Sequence, residues 1–307
     1  MQKFHSHGKL LISGEYVVLD GATALALPTK FGQDLEVKKM GTPIVRWQSL
    51  DHKEELWFKD EFAIADLGTQ EVPLMHQNDE VSKRLFLILS SAAEMAPNVF
   101  KNSNGFEITT KADFPRVWGL GTSSTLVANL SKWLEIDPYK LLERTFGGSG
   151  YDVAVAMNGA AITFEKHAME NSILKTSFDL PFKDQLFFVH LNQKQNSRKS
   201  IEHYRQQDKK TLDTAIEKIS ALTHSLISCR DLLEFELLLE LHENVISQLL
   251  GLQKVKSRLF PDYPGAVKSL GGWGGDFVLA TGKEDNMKYF REKGYSTILS
   301  FEEMILQ

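Results

Sequence analysis

A chain of 307 residues is long enough for one large or two ordinary domains and for a sizeable core. With 42% apolar and 24% charged residues it has the make-up of a globular protein in water, which excludes a disordered or collagen-like chain. A net charge of −5 without a basic stripe argues against a nucleic-acid partner, and the single cysteine, Cys229, excludes an internal disulfide.

The opening "MQKFHSHGKLLISGEYVVLDG" is interrupted by Gly14, Glu15 and Asp20, which reads against a secretory leader. No run approaches the ~20 apolar residues that a membrane span needs. The expectation is a cytoplasmic protein with no membrane partner.

In chain order, the first sixty or so residues read as strands: "KLLISG", "YVVL", "TALAL", "QDLEVKKM", "PIVRWQS" and "EELWFKD", separated by Gly, Pro and Asp turns. Residues 79–96 read as a helix that Pro97 stops. "GFEITTKADF" alternates like a half-buried strand. A glycine-rich turn and two short helices, over 123–134 and 137–146, come next, and "VAVAMNG" reads as a further short helix ended by Gly159.

"DQLFFVHL" (184–191) has the unbroken apolar run of a buried strand. Two long amphipathic helices follow. The first puts Leu212, Ile216, Ile219, Leu222 and Leu226 on one face; the second does so with Phe235, Leu238, Leu241, Val245 and Leu249, and Gly251 is placed to end it. "DFVLAT", a helix in "EDNMKYFREKG" and a last strand "STILSF" complete a β-α-α-β-α-β order. That order suggests an α+β sandwich with helices on one face of an antiparallel sheet. The aperiodic "MENSILKTSFDLPFKD" sets a domain boundary near 170–183, giving domains of 1–175 and 176–307.

Three segments join glycine to hydroxyl or charged residues. In "RVWGLGTSSTLVANLSKWL" (116–134), Gly119 and Gly121 let the backbone approach a ligand, and Thr122, Ser123 and Ser124 open a helix. Helix-start N–H groups make an anion site, and the hydroxyls reach a phosphate or its Mg²⁺. An ordinary Ser/Thr cap after a tight turn accounts for the same residues. The segment is neither a Walker loop nor a dinucleotide fingerprint, since G-x-x-x-x-G-K-[ST] is absent and Ser124 stands at the third glycine position. In "HGKLLISGEY", Lys9 follows Gly8 at the start of a strand and taken alone reads as a solvated strand end. In "VKSLGGWGGDFVLATG", four glycines in five residues precede a strand, as a loose loop or as a backbone in close contact with something.

A fourth segment, "FGGSGYDVAVAMNGAA", sets Asp152 between a Gly-Ser-Gly turn and an apolar helix, either as a cap or as a group held for chemistry. Taken together, "GKLLISGEYVVLDG", "GLGTSS", "GSGYDVAVAMNG" and "KSLGGWGGDF" resemble, in order and chemistry, the motifs of the GHMP small-molecule kinases, in particular the mevalonate and phosphomevalonate kinase branch. They run from residue 8 to residue 279, nearly the whole chain. The resemblance implies a two-domain GHMP kinase fold, with an N-terminal domain like ribosomal protein S5 domain 2 and a ferredoxin-like C-terminal domain. It implies an enzyme that uses ATP and Mg²⁺ to phosphorylate a mevalonate-like small molecule lying in the cleft between domains, acting as a monomer or homodimer. Carried over, Asp152 becomes the catalytic aspartate and Lys9 its partner. Gly119, Leu120, Gly121, Thr122, Ser123 and Ser124 hold the phosphates, with Ser123 also on the metal. Glu15, Ser149, Gly150, Gly271 and Gly272 belong to the acceptor site, and Gly274 to the same loop. A carboxylate at a helix start with Lys9 near is expected to stay ionised, orienting the substrate hydroxyl and taking its proton late.

After the strand at 184–191, "NQKQNSRKS" offers Lys194, Ser197 and Arg198 to the acceptor, Arg198 as a bidentate clamp, although a solvated helix start reads as well. The sequence departs from the family at His7, usually proline; at Leu270, usually serine; and at Trp273, usually glycine, where a bulky ring is expected to reshape the acceptor pocket. The metal-binding glutamate of mevalonate kinases has no counterpart at its spacing; the nearest acid, Glu143, reads as a surface helix residue or a substitute ligand.

Overall fold

The computed structural model describes residues 1–193, 197–273 and 275–307, without the side chains of 197–200 and 209–210. In chain order the elements are β1 (Gln2–Ser13), β2 (Ala24–Lys39), β3 (Ile44–Leu50), β4 (Leu56–Ala63), α1 (Glu80–Met95), α2 (Pro97–Lys101), β5 (Phe106–Ala112), α3 (Thr122–Leu134), α4 (Pro138–Thr145) and α5 (Tyr151–Asn158). They continue as β6 (Ile162–Glu165), β7 (Ser172–Lys175), β8 (Leu186–His190), α6 (Ser197–Tyr204), α7 (Lys209–Ser228), α8 (Leu232–Leu250), α9 (Val255–Leu259), β9 (Val267–Ser269), β10 (Phe277–Thr281), α10 (Lys288–Glu292), β11 (Ile298–Ser300) and α11 (Phe301–Met304). No helix among the described residues is long and apolar enough to cross a membrane.

The chain forms two compact units. The first comprises Met1–Gly8, Phe31–Arg116 and Gly121–Met157. Its strands run β4-β3-β5-β2, with β3 parallel to β5 and the other pairs antiparallel. The parallel pair requires a crossover, and β4, α1 and α2 supply it. The alternation read in "GFEITTKADF" is real: Phe106, Ile108, Thr110 and Ala112 face inward. The core joins Trp47, Phe62, Phe86, Ile108, Leu130 and Val153, each burial of such a side chain contributing roughly 1.5–3 kcal/mol. Asp79 caps α1 by accepting from the N–H groups of Val81 and Ser82, and Asp137 caps α4 with Pro138 at its first position. Pro97 ends α1 and opens α2, because a proline without an N–H fits a first turn and not a helix interior.

The second unit comprises Lys9–Lys30, Val117–Leu120 and Asn158–Gln307. Here the first half of β2 pairs with β6, and β6 with β7. A separate antiparallel sheet runs β11-β8-β10-β9. Its central strands are buried on both faces, unlike the one-sided sheet the element order suggests. Val189, Val278 and Ala280 pack on Phe260, Met287 and Phe290, whereas Phe188 stacks near Phe301, which lies beside Phe178.

Two segments differ from the sequence reading. "YVVL" is not a strand: Tyr16 (φ +62°) and Gly21 (φ +95°) turn the chain, and Val17–Asp20 coil as a 3₁₀ turn. The buried face of α8 carries Phe235, Leu239, His242, Glu243, Ile246 and Leu249, rotated from the stripe through Leu238 and Leu241. Gly251 ends that helix in the left-handed conformation, as expected.

Candidate active site

In the second unit, Lys9 is not a solvated strand end. Its backbone N–H donates to Leu120 O at 2.9 Å and its ammonium to Gly119 O at 3.1 Å. The turn segment Val117–Leu120 is pinned further by His190 Nε2, 3.2 Å from Val117 O, and by Trp118 set edge-on to Phe277 at 5.6 Å. Gly119 has φ +68°, and a Cβ there would lie 2.5 Å from Cγ of Asp276. A side chain there would be strained by the backbone conformation and would require the Asp276 carboxyl group to move.

In the first unit, Gly121 (φ +95°) is the N-cap of α3 and offers no side chain to the first-turn N–H groups. A helix start of this kind presents donors and a partial positive charge. Ser124 is buried, its hydroxyl donating back to Gly121 O at 2.8 Å, whereas Ser123 is exposed and Thr122 half-buried. The three hydroxyls thus separate into one turned inward and two at the helix opening.

Asp152 lies in the first turn of α5 as its second residue, two steps inside the cap position. Its carboxylate accepts from Val153 N–H at 3.0 Å. Val153–Ala156 are buried and anchor the helix. Gly147, Gly148 and Gly150 all have positive φ on the approach, and a Cβ on Gly150 would meet the Tyr139 ring at 3.2 Å. Burial, then the charges of Asp137 and Asp152, push the Tyr139 hydroxyl up to about 12. Tyr139 therefore stays a neutral wall beside Asp152. Ser149 is half-buried next to it, and Glu143 is exposed on α4. Among the described residues no group of three or more His, Cys, Asp or Glu stands close enough to hold a metal.

Glu15, also in the second unit, is 1% exposed, inside a buried polar cluster. Lys268 donates to its carboxylate and to Ser269 O at 2.8 Å; His242 Nε2 lies 3.1 Å from Glu15 and accepts from Gly14 N–H at 3.2 Å. Burial alone would raise the Glu15 pKa, but the Lys268 ammonium beside it holds it at about 2. Burial moves Glu243 the other way, up to about 8, and pushes His242 down. A second tie lies alongside, where Trp273 N–H donates to the Tyr16 hydroxyl at 2.8 Å. The Gly14–Tyr16 turn and the glycine-rich loop are thus locked to each other. Trp273 packs in a core cluster with Tyr16, Tyr204 and Ile219, and its indole N–H donates to Gln253 O at 3.2 Å. It is a buried anchor of the glycine-rich loop. Leu270 is likewise buried; Gly271 and Gly272 are half-buried, Gly271 with open space where a Cβ would project. Lys194 and Gly274 lie outside the described residues, as do the side chains of Ser197 and Arg198 at the start of α6.

Sequence reasoning missed Asp276 and the Glu15–Lys268 pair. For Asp276 there was a signal: a lone charge between "GGWGG" and the apolar "FVLAT". For the pair there was none, since 253 positions separate its members.

No family model matches the chain, and no curated protein is similar to it in sequence. Solved structures are similar in fold. The mevalonate kinase of Methanococcus jannaschii superposes with a TM-score of 0.69 at 13% identity, covering 97% of this chain and 96% of that one. Streptococcus pneumoniae phosphomevalonate kinase, in complex with phosphomevalonate and AMPPNP, gives 0.70 at 16% identity, covering 98% and 100%. Lactococcus lactis galactokinase, complexed with galactose, gives 0.66 at 12% identity, covering 99% and 93%. From end to end, the chain has the two-domain GHMP kinase fold.

Proposed function

We propose that this protein is an ATP-dependent kinase that phosphorylates a small-molecule alcohol, with mevalonate as its acceptor. The observation that carries the reading is that four motifs of a GHMP kinase lie, in order, on a chain with that fold along its full length. Residues 1–175 would form the nucleotide-binding domain and 176–307 the ferredoxin-like domain. Phosphomevalonate is the second reading, favoured by the Gly148-Ser149-Gly150-Tyr151-Asp152 match.

Phosphoryl transfer needs the attacking oxygen oriented and the migrating charge clamped. The turn from Gly119 and the N–H groups opening α3 would take the phosphate oxygens. Mg²⁺ bound with the nucleotide supplies neutralisation of phosphate charge, and the exposed Ser123 hydroxyl is of the type that contacts it. The Lys9 ammonium would offset the charge on the migrating phosphoryl group. The substrate oxygen forms its bond to phosphorus as the bond to the ADP oxygen breaks. Asp152, steadied by Val153 N–H, would align the hydroxyl and accept its proton late, as bond formation acidifies the oxygen. Ser149 and Gly150 beside it, with Ser197, Arg198, Gly271 and Gly272, would bind the acceptor, and Glu15 would act by holding the Gly14–Tyr16 turn.

Asp152→Asn is expected to lower kcat by about 10²-fold or more with little change in melting temperature; near-normal turnover would remove Asp152 from the chemistry. ADP release measured with mevalonate, phosphomevalonate, homoserine and galactose identifies the acceptor. Carbon dioxide release in the presence of ATP would instead identify a mevalonate diphosphate decarboxylase.

A further inference from the structure

One ring nitrogen in the second unit faces two incompatible partners. His242 on α8 is wholly buried, and its Nε2 accepts from Gly14 N–H at 3.2 Å while lying 3.1 Å from Oε2 of Glu15. An imidazole nitrogen accepts only when bare and donates to a carboxylate only when protonated, so it satisfies one of the two at a time. The bond to the backbone is the one that is made. Glu15 Oε2 and His242 Nδ1 are both buried without a hydrogen-bond partner among the described residues. The imidazole is therefore neutral, with its proton on Nδ1. The charges facing it already balance, Glu15 from the turn after β1 against Lys268 from β9. Glu243, next on α8, keeps its proton, and α7 adds the uncharged Thr223 hydroxyl, 2.6 Å from Ser13 Oγ.

We infer that His242 is a proton-operated latch on the Gly14–Tyr16 turn: the neutral ring holds the Gly14 amide, whereas a ring protonated at Nε2 donates to Glu15 instead and lets the turn go. Little movement is needed, since both partners lie within 3.2 Å of the same atom. The turn has no slack in which to absorb the change. Gly14 holds φ +102°, and a Cβ on it would lie 2.6 Å from Ala24 Cβ. A buried amide left without an acceptor is costly, so the turn must shift to find one. The shift reaches the glycine-rich loop, because the Tyr16 hydroxyl accepts from Trp273 N–H at 2.8 Å. Burial, then the Lys268 charge, hold the His242 pKa below the usual 6.5, so the latch is shut at neutral pH and opens on acidification. The buried cluster stands apart from the kinase reading; under that reading, the latch makes affinity for the acceptor depend on pH through the loop of Gly271 and Gly272.

The test is nuclear magnetic resonance on the full chain, isotope-labelled at histidine, glycine and serine and followed from about pH 7.5 down to about 4.5. Long-range proton–nitrogen correlations report which ring nitrogen carries the proton. The serine label singles out Gly14 and Gly150, the glycines that follow a serine. At neutral pH, His242 is expected to have a bare Nε2 and a proton on Nδ1. On acidification the ring should gain its second proton, and exchange of the Gly14 amide should quicken by about tenfold or more in the same step. His242→Gln offers an amide oxygen to Gly14 and cannot ionise, so its Gly14 amide should stay protected with no step. A proton on Nε2 at neutral pH, a ring that stays neutral until the whole chain unfolds, or a Gly14 amide that ignores the ring's titration overturns the latch. So does a step that persists in His242→Gln. Should that variant not fold, the unmodified protein still decides, its His242 ring assigned by contact with the Gly14 amide. No nucleotide or acceptor is present, so each of these results leaves the kinase reading as it was. Failure of that reading would show as absent ADP release and would leave the latch intact.

Discussion

At the scale of single residues, the structure turns ambiguous positions into specific ones. Lys9 taken alone reads as a strand end in water, yet its ammonium is committed to Gly119 O. Gly119 is itself hard to replace. Gly119→Ala combines a left-handed backbone with a Cβ against Asp276, and should cost about 1–2 kcal/mol of stability from the conformation alone. Urea denaturation checks this, with a loss of nucleotide binding expected alongside. The buried carboxylates predict opposite pH behaviour. Glu15, held at about 2, contributes stability that is present above the ordinary 4.5 and lost as pH falls toward 2. Glu243, raised to about 8, keeps its proton in the folded state, so its contribution is full below 4.5 and gone once pH passes about 8. Glu243→Gln, which cannot ionise, should flatten the decline between pH 5 and 8 in denaturation midpoints. A decline as steep as that of the parent would show that Glu243 is not its source.

At the scale of elements, what was legible followed from strong local signals. The helix at 80–95 has its Asp79 cap and Pro97 stop, and β8 and β10 have unbroken apolar runs. β9 is three residues long and merges with a glycine-rich loop, so no period marks it. The face of α8 was misread for a physical reason. Leucines at 232, 233, 237, 238, 239 and 241 surround the helix, and the side that is buried contains His242 and Glu243, which a polarity count assigns to water. The consequence can be measured. Leu239→Ala should cost about 2–5 kcal/mol, whereas Leu237→Ala, at a position 59% exposed, should change stability by about 0.5 kcal/mol or less. Equal losses would show that the helix does not bury its Leu239 side in preference to its Leu237 side. The site was legible to the same degree: the glycine turn, Lys9 and Asp152 announce themselves by motif, but Asp276 and Lys268 acquire meaning only through contacts made by distant parts of the chain.

At the scale of the whole molecule, a similarity of 12–16% identity over nearly all of each chain carries the fold and leaves the acceptor to experiment. The nucleotide can be tested without knowing the acceptor. A ligand that binds only the folded chain stabilises it by about 2.7 kcal/mol at a hundred times its dissociation constant. AMPPNP with Mg²⁺ should therefore raise the melting temperature by several degrees, and a flat response at millimolar nucleotide would contradict the kinase reading. The reading of the GHMP fold from four short motifs succeeded because each marks a backbone constraint, such as a positive φ or a helix opening, that the architecture needs wherever it occurs.

The second unit gathers Lys9–Lys30 with Asn158–Gln307, and Glu15 finds Lys268 as Thr29 pairs with Ile305. During synthesis, residues 9–30 therefore leave the ribosome long before their partners exist. The acidic side chain of Glu15 and the apolar strand around it must wait, solvated or chaperoned, for more than 250 residues of further translation. The entropy of closing so long a loop grows only slowly with its length, so the distance along the chain adds little to the cost of burying Glu15 once Lys268 has been made.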